Sequence, residues 1–276
     1  MRIRFTKMHG LGNDFVVIDG ISQVPPLDPS SIRRLSDRHF GVGCDQVLVV
    51  ERPKSAEADF RYRIFNSDGG EVAQCGNGAR CFAKFVREKN LSSKSWIRVE
   101  TLRAVLSLEF ASDDEVEVDM GIPVHSPNEI PLQMPEAAPS YRLDLDGEAI
   151  DFAAVSMGNP HLVMEVKDVA RAPVEKLGPR LESHPLFPER VNVGFLEVVD
   201  AHWGKLRVFE RGAGETLACG SGACAAAVTG IERGVFESPV KISLPGGDLV
   251  IRWEGRGTSV MMRGPATTVF EGEIEL

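Results

Sequence analysis

The chain has 276 residues and a formal net charge of −9, and 43% of its residues are hydrophobic. This composition supports a sizeable core and excludes a largely disordered chain. The acidic balance argues against a broad nucleic-acid-binding surface. The first five residues predict a strand rather than a secretion signal, and no apolar run approaches the ~18 residues of a membrane span. We therefore expect a soluble, cytoplasmic protein that binds neither nucleic acid nor membrane.

Alternation and turn residues divide the first half into short elements. The predicted strands are 2–8, 15–19, 47–50, 59–65, 96–100, 105–110 and 115–118, and the predicted helices are 29–38 and 77–89. Pro29 lies just inside the start of the first helix, and Asn90 is expected to end the second. Prolines recur from Pro123 to Pro139, which predicts a linker or a long irregular arm.

The second half repeats this order. Its predicted strands are 153–157, 162–166, 192–198 and 205–209, and its predicted helices are about 174–182 and 222–233. Gly234 is placed to follow the last helix as its terminating glycine. The helix at 222–233 is apolar nearly all round, which predicts burial on several sides.

Two stretches, 66–79 and 210–223, resemble each other closely. When Cys75 is aligned with Cys219, an offset of 144 (219 − 75), both stretches carry Gly-Glu upstream of the cysteine and Gly-x-Gly-Ala directly after it. Further matches in the same order pair Gly12-Asn13 with Gly158-Asn159, Gln46 with Asn192, and Met120-Gly121 with Arg263-Gly264. Chance explains an ordered series poorly, so the chain is predicted to be an internal duplication.

The duplication and the element order predict an α+β fold of two similar lobes. Each lobe is expected to be a mostly antiparallel sheet or barrel wrapped around a central helix, with the active site in the cleft between the lobes. The predicted N-terminal lobe is 1–120, and the predicted C-terminal lobe is 121–264.

A cysteine placed directly before a helix that starts with Gly-x-Gly is suited to proton transfer. Free N–H groups and the helix dipole bind a carboxylate there and are expected to lower the thiol pKa toward neutrality. If Cys75 and Cys219 face one substrate, a thiolate removes an α-proton while a thiol delivers one from the opposite face. The fixed N–H dipoles would stabilise the intermediate charge, so no cofactor is expected. The spacing of His and Cys suggests no metal site.

The other cysteines and the paired glutamates are predicted to be structural. Cys44, Cys81 and Cys224 have no cysteine counterpart in the other half, and five cysteines do not indicate a disulfide framework. Glu71 and Glu215 are expected to brace the loops before the helices.

Where the halves differ, the substrate is expected to be asymmetric. Asn66-Ser67 of the first half corresponds to Glu210-Arg211 of the second half, and Phe15 corresponds to His161. An arginine can pair bidentately with a second carboxylate, and Glu210 can receive an ammonium group. His161 either tunes a thiol or satisfies a buried hydrogen bond.

Five ordered motifs resemble those of the diaminopimelate epimerase family. They are Gly-Asn-Asp-Phe at 12–15, Gln-Cys-Gly-Asn-Gly-Ala-Arg-Cys at 74–81, Gly-Asn-Pro-His at 158–161, Glu-Arg-Gly-Ala-Gly-Glu-Thr at 210–216 and Ala-Cys-Gly-Ser-Gly at 218–222. The resemblance implies cofactor-independent interconversion of LL- and meso-2,6-diaminopimelate for lysine and peptidoglycan precursors, carried out by a homodimer. It also implies that the tail 265–276 returns to the first lobe.

The resemblance implies a role for each matching residue. Cys75 and Cys219 are the acid/base pair, and His161 and Glu210 influence the thiols. The substrate contacts fall on Asn13, Gln46, Asn66, Gly76, Asn77, Asn159, Asn192, Glu210, Arg211, Gly220 and Ser221.

Two other functions are compatible with a pair of cysteines. A proline racemase-like enzyme also uses two thiols in two lobes, but its substrate gives Glu210 and Arg211 no distal group to bind. A redox switch would cycle Cys75 and Cys219 between dithiol and disulfide.

Overall fold

The computed structural model describes residues 1–72, 76–102, 104–112 and 114–276. Contacts divide the chain into two compact units. Unit 1 comprises Met1–Asp119 and Arg263–Leu276, and unit 2 comprises Met120–Met262. Both units combine helices with a dominant share of strand, which confirms the predicted α+β class. None of the helices within these described ranges is long and apolar enough to cross a membrane.

Unit 1 is built from a mostly antiparallel sheet and two helices. Its elements are β1 (Arg2–Gly10), β2 (Asn13–Asp19), α1 (Pro29–Ser36), β3 (Gln46–Glu51), β4 (Phe60–Asn66), β5 (Glu71–Val72), α2 (Gly76–Glu88), β6 (Trp96–Glu100), β7 (Val105–Phe110) and β8 (Glu115–Asp119). Strand β2 pairs in parallel with β3, and β4 with β6; the other pairings among the described residues of β1 to β8 are antiparallel.

Unit 2 follows the same plan. Its elements are β9 (Tyr141–Leu145), β10 (Glu148–Ser156), β11 (Pro160–Glu165), α3 (Val174–Glu182), β12 (Asn192–Asp200), β13 (Trp203–Glu210), β14 (Gly214–Thr216), α4 (Gly220–Glu232), β15 (Val240–Leu244) and β16 (Gly247–Arg252). The chain then enters β17 (Met261–Pro265) and β18 (Thr267–Glu275). Strand β18 pairs antiparallel with β1, so the C-terminal strand lies in unit 1.

Strand registers repeat between the units. Phe15 pairs with Gln46 across the parallel strands β2 and β3, and His161 pairs with Asn192 across β11 and β12. The hairpins that precede the central helices also correspond, and α2 and α4 each span 13 residues. A common register places matching side chains at matching sheet positions, because side-chain direction alternates strictly along a strand.

Local signals set the helix ends as predicted. The Asp28 carboxylate accepts the N–H groups of Ser30 and Ser31 at the start of α1, where Pro29 occupies the first turn. Asn90, beyond α2, has a φ of 54°, and Gly234, beyond α4, has a φ of 71°. Both residues adopt the left-handed conformation that ends helices.

The two central helices pack against several strands of their own units. Helix α4 packs against β10 to β13, β15 and β16, and it is buried at ten of its thirteen positions, which confirms the prediction of burial on several sides. Helix α2 buries the predicted apolar face, including Ala79, Phe82, Ala83 and Val86. It also buries Arg80 completely, which the sequence did not predict.

The proline-rich segment forms an irregular arm that packs on unit 2. Ile130 and Leu132 are buried in the core of that unit, and Val124 forms an isolated bridge with Ser156. The apolar residues between the prolines therefore anchor the segment to the unit.

Candidate active site

Cys219 lies at the start of α4 and is buried. It is the N-cap residue, with extended backbone angles, and its carbonyl accepts the N–H of Ala223 at 3.0 Å. A Cβ atom at Gly222 would lie 3.2 Å from the Cys219 Sγ and 3.0 Å from a Val208 methyl group. The second glycine of Gly-x-Gly therefore leaves space in which the thiol packs against the helix.

The direction of the Cys219 pKa differs from the sequence prediction. Burial raises the pKa of the thiol well above its ordinary value, and the nearby Glu210 carboxylate raises it further. The Ser221 hydroxyl, at 3.7 Å from Sγ, and the Gly222 N–H act in the opposite direction. The prediction of a pKa near neutrality was wrong for Cys219, because desolvation outweighs the donors at the helix start.

Glu210 contacts this thiol from the end of β13. Its carboxylate accepts a hydrogen bond from the Thr216 hydroxyl across the β13–β14 hairpin and forms a side-chain hydrogen bond with Cys219. The contact with Glu210 thus favours the protonated form of the thiol.

Asn159 and His161 connect β11 to the start of α4. Asn159 Nδ2 donates to the Ser221 hydroxyl at 3.3 Å, and its Oδ1 lies 3.1 Å from His161 Nε2. Burial, together with the charge of Arg211, lowers the pKa of His161 to about 3. The ring is therefore neutral near pH 7, with the Nε2 proton donated to Asn159. Of the two roles that the sequence left open for His161, the structure shows the buried hydrogen bond.

Asn192 and Glu182 hold the turn that carries Arg211. Asn192 Oδ1 accepts the Arg211 N–H at 2.9 Å, and Glu182 Oε1 accepts the Gly212 N–H at 2.8 Å. The Arg211 guanidinium donates to the Glu189 carbonyl at 3.0 Å. The buried side chains of Asn192 and Glu182 thus fix the backbone of the turn. The Arg211 side chain itself is bound to a neutral carbonyl group.

Unit 1 brings together a corresponding set of amides. Asn77, in the first turn of α2, donates to Asn13 Oδ1 at 3.3 Å, and Gln46 donates to Asn66 Oδ1 at 2.8 Å. Gly76 is the first residue of α2, just as Gly220 is the first residue of α4. The role predicted for Cys75 lies outside the described residues.

The paired glutamates have the bracing role that was predicted. Glu71 forms two hydrogen bonds with Arg63, at 2.8 and 2.7 Å, and Glu215 forms two with Arg207, at 2.6 and 2.8 Å. Each pair joins the two strands of the hairpin before a central helix. The remaining described cysteines, Cys44, Cys81 and Cys224, are buried and form no disulfide with another described residue, in agreement with a structural role.

Sequence reasoning missed several polar residues around these sites. Thr216 corresponds to Val72 of the first half, and this difference between a polar and an apolar residue could have indicated a role for Thr216. Asp45, which accepts a hydrogen bond from Asn13, gave no periodic signal. In the described ranges, no group of three or more His, Cys, Asp or Glu residues is arranged to hold a metal ion.

The diaminopimelate epimerase family model matches residues 5–126 and 153–269 of the chain. A diaminopimelate epimerase from Nitrosospira multiformis is 57% identical over 276 residues, which cover 100% of this chain and 99% of the relative. A diaminopimelate epimerase from Pseudomonas syringae pathovar tomato is 59% identical, with 100% of both chains covered. The chain belongs to the diaminopimelate epimerase family. This membership confirms the resemblance carried by the five motifs, and it does not favour the proline racemase-like or redox alternatives.

Solved structures show that the fold of this diaminopimelate epimerase family member is shared more widely. A hydroxyproline epimerase from Agrobacterium vitis has a TM-score of 0.71 at 15% identity, with 99% of this chain and 92% of that chain covered. A phenazine biosynthesis protein of the PhzF family from Bacillus anthracis has a TM-score of 0.71 at 17% identity, with both chains fully covered. At these identities the likeness shows the fold alone.

Proposed function

We propose that the protein is a cofactor-independent isomerase that interconverts LL- and meso-2,6-diaminopimelate in the synthesis of lysine and peptidoglycan precursors. The observation that carries this proposal is identity of 57–59% to diaminopimelate epimerases over the full length of the chain. The buried thiol before α4 supports it, because epimerisation needs an acid positioned at the α-carbon.

Two thiols exchange the α-proton in this mechanism. Cys75, as the thiolate, removes the proton from one face, and Cys219, as the thiol, delivers a proton to the opposite face. The raised pKa of Cys219 supports its role as the acid when Cys75 is the base. The reverse reaction exchanges the two roles, and the two thiols share one proton and titrate as a pair.

The starts of the two central helices stabilise the negative charge that develops on the substrate. The N–H groups of the first helical turn point out of the start of a helix; in α4 they belong to Gly220 and Ser221, and in α2 to Gly76 and Asn77. They bind the carboxylate adjacent to the reacting carbon. Because they are fixed before the reaction, they stabilise the carbanionic intermediate without reorganisation.

The remaining site residues bind the distal end of the substrate. Arg211 exchanges its neutral carbonyl partner for the distal carboxylate, which offers a stronger, charge-assisted pair. Asn66, Asn159 and Asn192 bind the groups around it and distinguish its handedness. Glu210 receives an ammonium group of the substrate while it also influences the Cys219 thiol.

We further propose that the protein is a cytoplasmic homodimer. A mechanism with two reduced thiols needs a reducing compartment, and the four described cysteines form no disulfide with one another. The dimer is implied by the family resemblance. Light scattering coupled to gel filtration tests it: a mass of one chain at micromolar concentration would contradict it.

Turnover by the purified protein tests the proposed function. With no pyridoxal compound added, the protein should convert LL-diaminopimelate to the meso isomer and leave L-proline unchanged. Arg211→Ala should impair diaminopimelate turnover far more than it changes thiol alkylation. Racemisation of proline at equal rates by wild type and variant would instead support the proline racemase-like alternative.

A further inference from the structure

A chain of three hydrogen bonds runs through the amides of unit 1. Arg80 Nη2 donates to Asn77 Oδ1 at 3.0 Å, and Asn77 Nδ2 donates to Asn13 Oδ1 at 3.3 Å. Asn13 Nδ2 then donates to Asp45 Oδ2 at 2.9 Å. The chain begins at a cation and ends at an anion, and both amides point in the same direction along it.

The charged ends determine this direction. A guanidinium group has donors only, and an ionised carboxylate has acceptors only. If the Asn13 amide rotated by half a turn, its oxygen would face the Asp45 carboxylate, and its NH₂ group would face the NH₂ group of Asn77. Both hydrogen bonds would be replaced by repulsive contacts, so each amide has a single favourable orientation.

The cationic end is fixed inside the core. Arg80 is fully buried, and its Nε donates to the Pro265 carbonyl at 3.1 Å. A Cβ atom at Gly10 would lie 3.1 Å from Arg80 Nη2 and 3.3 Å from the Asn77 Cβ. Because Gly10 has no side chain, it leaves the space in which the Arg80 guanidinium reaches Asn77.

The anionic end is fixed from the surface side. Arg38 Nη2 donates to Asp45 Oδ1 at 2.9 Å. The Asp14 N–H donates to Asp45 Oδ2 at 3.1 Å, while the Asp45 N–H donates to Asp14 Oδ1 at 2.8 Å. These reciprocal bonds hold together the loops at the starts of β2 and β3, so the acceptor for Asn13 has a fixed position.

Unit 2 lacks both charged ends at the matching positions. Val191 corresponds to Asp45 at the offset of 146, and Cys224 corresponds to Arg80 at the offset of 144. There the amide of Asn159 points the opposite way, with Nδ2 toward Ser221 on the helix and Oδ1 toward His161. The two units thus present opposite ends of the same duplicated amide to their helix starts.

We propose that Asp45 and Arg80 are positioning residues that set the orientation in which Asn13 and Asn77 meet the substrate. The inference rests on the proposed function, since these amides matter to turnover only if they contact diaminopimelate. The two charged residues act through the amides and do not touch the substrate. Preorganised amides bind the substrate without first reorienting, so loss of the chain should weaken binding more than it slows chemistry.

Asp45 is the better residue to change, because its side chain is 46% exposed whereas Arg80 is buried in the core. Asp45→Ala should raise the KM for LL-diaminopimelate about tenfold and leave kcat within about twofold, which corresponds to the loss of one charge-assisted hydrogen bond. Asp45→Asn keeps an oxygen that can accept from Asn13, so its KM should stay within about threefold of wild type.

Arg38→Gln is the matched control. It removes the ion pairs of Arg38 with Asp14 and Asp45. The oxygen that Asn13 uses, Asp45 Oδ2, remains held by the Asp14 N–H, so thermal stability should fall while KM stays near the wild-type value. If Arg38→Gln raises KM as much as Asp45→Ala does, the effect is structural and the proposed role is overturned.

A double-mutant cycle with Asn13→Ala completes the test. If Asp45 acts through Asn13, then Asp45→Ala should change KM less than about twofold in the Asn13→Ala background. An equal tenfold rise in both backgrounds, or an unchanged KM in the single variant, would overturn the role of Asp45. Absence of turnover in the wild type would instead reject the proposed function itself, and this role with it.

Discussion

His161 should make the folded protein sensitive to acid. The histidine pKa is about 3 in the folded protein and about 6.5 in an unfolded chain, because burial disfavours the charged ring. Between these values the unfolded chain binds a proton that the folded chain does not. The stabilisation is fully present above pH 6.5 and is lost as the pH falls toward 3.

The size of the effect follows from the pKa difference. Each pH unit within this window changes the free energy of unfolding by about 1.4 kcal/mol. Between pH 7 and pH 5, His161 alone should therefore lower the stability of the wild type by about 2 kcal/mol. His161→Gln removes the titrating ring but keeps an N–H donor for the Asn159 oxygen.

Urea unfolding of wild type and His161→Gln at pH 7, 6 and 5 measures this difference. Other groups titrate in both proteins, so subtraction isolates His161. The variant should lose about 2 kcal/mol less than the wild type between pH 7 and pH 5. Equal losses in the two proteins would refute a buried, neutral His161.

Three further substitutions test the contacts in unit 2. Glu210→Gln removes the charge beside Cys219, so alkylation of the Cys219 peptide by iodoacetamide should begin at lower pH; an unchanged pH profile would contradict this. Gly222→Ala places a methyl group against Cys219 Sγ. It should lower kcat about tenfold in initial-rate assays, because a catalytic group is displaced. An unchanged kcat would show that the thiol does not need this space. Glu182→Leu removes the acceptor for the Gly212 N–H and should raise KM about tenfold, whereas Glu182→Gln keeps an acceptor and should stay within about threefold. Equal KM values for the two Glu182 variants would exclude this hydrogen bond as the cause.

Elements with strong local signals were predicted closely from the sequence. Helix α3 has the predicted bounds, and the ends of α1, α2 and α4 follow their capping and terminating residues. Strands β5, β9 and β14 to β18 were missed. In β18, three glutamates and Gly272 give a low strand propensity, and the strand is ordered by its pairing with β1. Such pairing depends on distant residues that local patterns do not reveal.

The sequence indicated the positions of the candidate site residues more closely than their electrostatics. Recurrence predicted that Asn13 and Asn159 occupy matching positions, and each contacts the first turn of the central helix of its unit. The pKa direction at Cys219 was wrong because the helix start was considered without burial. Arg80 was missed because its spacing from Lys84 and Arg87 indicates a solvent-exposed helix face, whereas the packing of α2 within unit 1 places Arg80 in the core.

Proton exchange at the α-carbon tests the two-thiol mechanism most directly. The wild type, incubated with LL-diaminopimelate in deuterated water without added pyridoxal compounds, should incorporate deuterium at one α-position as the meso isomer forms. Cys75→Ser and Cys219→Ser should each reduce epimerisation at least about a hundredfold, as expected when a general acid or base is lost. Full turnover in both variants would contradict the two-thiol mechanism.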